Sequence, residues 1–95
     1  MPTVTSAPDF KYKGMGCGLA VHLTERILVI NGQEFPFSEI KSVSTFVKNG
    51  FFLKRQGIEI EVLDLANPLR RVAMNQEPQK VWMSRIGQIC GMTSI

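Results

Sequence analysis

Phe51 and Phe52 stand between Lys48 on one side and Lys54 and Arg55 on the other, a grouping that offers aromatic contact area beside positive charge. The charged residues from Lys41 to Gly57 are all basic (Lys41, Lys48, Lys54, Arg55), and Glu59, Glu61 and Asp64 follow at once. Such a patch can steer an acidic protein, contact phosphates or lie against an acyl surface. Were Phe51, Phe52 and Leu53 packed into the core, the same charges would be no more than a solvated basic edge.

No other set of residues forms a recognisable reaction centre. His22 is the single histidine, and no Cys, Asp or Glu stands at a metal-ligand spacing from it. Cys17 and Cys90 lack a CxxC arrangement and read as two reduced thiols, which meet only if the chain ends pack together. The run Gly14-Met15-Gly16-Cys17-Gly18 has neither the Lys-Ser or Lys-Thr ending of a phosphate-binding loop nor the GxGxxG spacing of a dinucleotide fold. It suits a bulge, a sharp bend or a close strand approach. Glu59 and Glu61 share a face through alternation alone, and no nucleophile is paired with a base. The expectation is a protein without catalytic, cofactor or metal residues, whose partner-binding set is Lys48, Phe51, Phe52, Lys54 and Arg55.

The elements that must carry this set are short and mostly extended. Ninety-five residues, 44% of them hydrophobic and 20% charged, suit one ordered core. After an expected flexible leader at 1–9, a strand begins near Phe10, and Leu19, Val21 and Leu23 alternate with Ala20 and His22. Thr24-Glu25-Arg26 turns into Ile27-Leu28-Val29-Ile30, apolar throughout and so expected to be covered on both sides or to lie near the centre of the structure. Asn31-Gly32 is the strongest hairpin signal in the chain. Pro36 makes the next strand short or an edge, and along the one after it Val43, Thr45 and Val47 share a face opposite Ser44 and Phe46. Asn49-Gly50 and Gln56-Gly57 read as reversals, Ile58, Ile60 and Val62 as the buried side of a strand, and Leu69 to Met74 as the final strand. Beyond Asn75, Pro78 fits a first helical turn, Trp82, Ile86, Ile89 and Cys90 share one face, and Gly91 reads as the stop before a tail at 92–95. The fold class is mainly β: one unit at 10–91, either a small barrel or a strongly bent antiparallel sheet, capped by a C-terminal α-helix.

From Gly18 to Ile89 this order resembles the pleckstrin-homology-like superfold, in particular its bacterial PH and GRAM-type branches. The likeness rests on Leu23-Thr24-Glu25-Arg26-Ile27-Leu28-Val29-Ile30, on Phe37-Ser38-Glu39-Ile40-Lys41-Ser42-Val43, on Gly57-Ile58-Glu59-Ile60 and on the closing helix. It implies lipid, peptide or assembly roles, since the superfold hosts all three. In lipid-binding members the loop between the first two strands carries several basic residues. Here Lys11 and Lys13 precede the glycine run, and the next basic residue is Arg26.

The leading expectation is therefore a non-enzymatic protein-interaction, adaptor or inhibitor module, with an acidic protein partner or a second copy of the chain docking on the apolar and basic hairpin. Nucleic-acid binding through the same cations is the main alternative, and an acidic membrane surface ranks third. The net charge of +3 accommodates all of these. The first residues lack a secretory signal pattern, which points to the cytoplasm.

Overall fold

Between Phe10 and Ala73 the alternating residues form antiparallel strands, and the computed structural model describes residues 4–14, 16–52 and 54–93. Strands β1 (Phe10–Gly14), β2 (Cys17–His22), β3 (Ile27–Ile30) and β4 (Gln33–Pro36) build a four-stranded meander. A 3₁₀ turn at Phe37–Glu39 leads into a three-stranded meander of β5 (Ile40–Asn49), β6 (Lys54–Val62) and β7 (Leu69–Ala73), and helix α1 (Gln76–Thr93) follows. The protein is mainly β, and its two sheets do not close into a barrel. Of the two architectures the sequence allows, the bent sheet under a helix is the one adopted.

Local chemistry accounts for the turns. Asn31 and Gly32 have φ of 50° and 83°, the paired positive values of a tight two-residue hairpin, and they set the Ile30–Gln33 register. Strand β4 lies at the sheet edge, where the missing Pro36 donor breaks no ladder. The glycine run makes the β1–β2 reversal, with Gly14 opposite Cys17 and Gly16 at a φ of 71°.

Two boundaries differ from expectation. Gln56-Gly57 is not a reversal but lies inside β6, and the chain reverses between Asn49 and Lys54. Gly57 is there because β7 passes close by: a Cβ at this position would meet the Ala73 Cα at 2.8 Å and the Val72 carbonyl carbon at 2.9 Å. Nor does Gly91 stop α1, which runs on to Thr93. A helical interior tolerates glycine at a cost of about 1 kcal/mol.

The core lies between the sheets and the helix. Leu19, Val21, Leu28 and Ile30 from the first sheet meet Ile58, Ile60, Val62 and Val72 from the second. Helix α1 closes the remaining side with Trp82, Ile86 and Ile89, spaced to share a face, and it packs against β5, β6 and the 3₁₀ turn. The buried Gln79 amide donates to the Met74 carbonyl at 2.9 Å and so ties the helix start to the end of the sheet. Arg85 lies over the Phe10 ring at 4.0 Å and anchors the helix to β1.

Opposite the helix, side chains close the seam. The Tyr12 hydroxyl and the Cys17 thiol both donate to the Ala73 carbonyl, and the Asn31 amide donates to the Arg71 carbonyl. The outer edge of β7 is thereby capped without a strand ladder. Near the N-terminus, Glu25 accepts bonds from the Thr5 and Ser6 amides and the Ser6 hydroxyl.

Gly57→Ala should lower stability by about 1–3 kcal/mol, because β7 must shift to admit the methyl group. Urea unfolding measures this, and an unchanged midpoint would refute the close approach. The Ser6 hydroxyl bond, then the Thr5 amide bond, hold the Glu25 carboxyl below its ordinary value. These contacts should be intact above the ordinary Glu range and lost as pH falls through the lowered pKa. The Thr5 and Ser6 amide signals should titrate with Glu25 in wild type and not in Glu25→Ala.

Candidate interaction surface at the β5–β6 hairpin

Strands β5 and β6 outrun their neighbour. Pairing of β6 with β7 spans Gly57 to Glu61, whereas pairing with β5 continues through Gln56, Arg55 and Lys54 to Asn49. The end of this hairpin is a two-stranded ribbon on a molecule measuring 41 × 26 × 26 Å. At its tip Phe51 is 97% and Phe52 93% exposed, so neither packs into the core. Their ring centroids lie 5.5 Å apart with planes inclined by 58°. Val47 adds exposed apolar surface on the ribbon, and Leu53 lies outside the described residues. Together with Lys48, Gly50 and Arg55, the two rings line a shallow cleft of about 350 Å³.

Among the described residues, the charges on the ribbon have no ion-pair partner. Lys48 faces Arg55 directly across the strands, and Lys54 follows one pair nearer the tip. Like charges placed opposite each other oppose pairing. Among the described residues none of the three forms an ion pair, because the nearby carboxylates are engaged elsewhere. Glu59 binds Arg71 at 2.8 Å, Asp64 binds Arg70 at 2.9 Å, and Glu61 lies 3.9 Å from Lys41. Lys41 is therefore not part of the hairpin patch, since it pairs at the opposite end of β5. Arg70 and Arg71 face opposite ways: one guanidinium lies over Phe35 and the other over Phe46.

The other residues with chemical potential lie apart. His22 is buried beside Ile27 at the far end of β2 from Cys17, five residues or roughly 16 Å along an extended strand. Its Nδ1 makes no hydrogen bond among the described residues. Neither cysteine forms a disulfide, both are half-buried, and burial pushes the Cys90 thiol pKa up. Among the described residues, no three His, Cys, Asp or Glu side chains converge as a metal-ligand set. No described helix is long and apolar enough to cross a membrane.

The five residues singled out from the sequence thus sit together on one ribbon. What sequence reasoning missed is the stack of Arg71 on Phe46, with Glu59 holding the guanidinium from the side. The cross-strand register was the available signal, and the misplaced turn at Gln56-Gly57 concealed it. No protein-family model matches the chain, and no curated protein or solved structure matches it significantly.

Lys48→Glu should stabilise the fold by a few tenths up to about 1 kcal/mol by turning a repulsive cross-strand pair into an attractive one. A thermal melt at low salt tests this. A lowered midpoint would show that the opposed cations are not a source of tension.

Proposed function

We propose that this chain is a non-enzymatic interaction module that docks its β5–β6 hairpin onto an acidic protein partner. The supporting observation is the near-complete exposure of Phe51 and Phe52 on a ribbon whose cations form no ion pair among the described residues. Two aromatic rings held in water gain by burial, and a concave apolar pocket accepts a convex tip of this shape. Lys48, Lys54 and Arg55 would then meet carboxylates at the pocket rim, speeding encounter and selecting against basic surfaces. The inclined rings fit an irregular protein pocket better than successive stacked bases, which favour parallel faces.

The order of four strands, three strands and a closing helix supports a pleckstrin-homology-like ancestry, and interaction roles are common on that scaffold. Two cysteines outside any disulfide accord with work in a reducing compartment such as the cytoplasm.

Affinity capture with the intact chain, after nuclease treatment, should retain a protein that binds both Phe51→Ala/Phe52→Ala and Lys48→Gln/Lys54→Gln/Arg55→Gln at least about tenfold more weakly. Raising salt should weaken retention modestly, since only a few charges are involved. Steeply salt-sensitive retention of nucleic acid in place of a protein would overturn the proposal. So would sedimentation with phosphatidylserine vesicles that the phenylalanine variant loses.

A further inference from the structure

Behind the hairpin, a second cleft of about 240 Å³ opens between the two sheets. Cys17 and Asn31 of the first sheet form one wall, and Phe46, Lys48, Arg55 and Arg71 of the second form the other. We propose that this cleft binds a phosphate monoester carried by the docked protein partner. The source of the phosphate rests on the function proposed above, whereas the phosphate site itself does not.

One residue of each wall is held in place by its own contacts. Asn31 is held at both ends of its amide: Oδ1 accepts from the Gly18 amide at 3.0 Å, and the side-chain nitrogen donates to the Arg71 carbonyl at 3.2 Å. The Arg71 guanidinium lies 5.3 Å from the Phe46 ring centroid, and its Nε donates to Glu59 at 2.8 Å. That bond uses one of five N–H donors and fixes the plane of the others. Lys48, Arg55 and Arg71 against the Glu59 carboxylate leave an excess of two positive charges. A phosphate monoester carries about −1.5 to −2 at neutral pH and meets that excess, whereas a single carboxylate meets only half of it. A dianion between Lys48 and Arg55 also removes their mutual repulsion. Both residues line the tip cleft as well, so one partner segment can set an apolar group against Phe51 and Phe52 and a phosphate behind them.

Titration of the ¹⁵N-labelled chain with phenyl phosphate tests the site without the partner. The Arg55 and Arg71 Nε signals and the Lys48 and Asn31 amides should move together with one Kd. That Kd should weaken by about tenfold in Arg71→Gln and in Lys48→Gln, and again at about pH 5, where the monoester loses its second charge. Phe51→Ala/Phe52→Ala should leave it within about threefold while abolishing protein capture, which separates failure of the site from failure of the docking proposal. Shifts spread over Lys11, Lys13 and Lys80, or an unchanged Kd in both charge variants, would overturn the site. Sedimentation with phosphatidylcholine vesicles carrying phosphatidylinositol 4-phosphate, competed by phenyl phosphate, would overturn a protein as its source.

Discussion

The constraint on which the architecture depends is the need to satisfy the outer edge of β7 where no strand pairs with it. Backbone carbonyls left without partners cost about as much as lost hydrogen bonds, and an open edge invites foreign strands. Tyr12, Cys17 and Asn31 meet the demand with side chains, each from an element of the other sheet. A strand ladder at this seam would continue one sheet into the other, whereas side-chain bonds join the sheets and leave a gap. The bend, the second cleft and the absence of barrel closure share that cause. On the opposite side the gap is filled by hydrophobic volume: Trp82, Ile86 and Ile89 take the place that another strand would occupy.

This division of labour leaves the hairpin end free. The core is complete with residues up to Ile58 on β6, and β7 ends opposite Gly57, so the ribbon beyond contributes little to burial. Fully exposed aromatics and opposed cations on such a ribbon do nothing for the fold, and the cations oppose it slightly. In the adjoining part of the second sheet, Arg70 is paired with Asp64 and Arg71 with Glu59.

Much of the fold was legible because it depends on local rules. Asn31-Gly32 specified its turn through backbone conformation alone, and the alternation of Ile58, Ile60 and Val62 with two glutamates specified a half-buried strand. The helix face at Trp82, Ile86 and Ile89 followed from spacing. The errors came where one residue type serves two physical purposes. Gly57 has the composition of a turn, yet it is needed for the passage of β7, a contact between residues distant in the chain. Gly91 resembles a helix stop, but α1 continues past it. Whether Phe51 and Phe52 enter the core could not be read locally either, since it depends on how far β5 and β6 outrun β7.

Charge and register together determine what the ribbon is. Sequence proximity places Lys54 beside Arg55, but pairing alone brings Lys48 opposite Arg55 and leans Arg71 over Phe46 towards them. A one-residue slip would send Lys48 and Arg55 to opposite partners and faces, dispersing the positive charge around the ribbon. The register is held by the Gly57 contact with β7 and by burial of Ile58 and Ile60, both inside the body of the protein. The body therefore dictates the charge pattern of the ribbon without depending on it, so the fold should persist through changes at the tip.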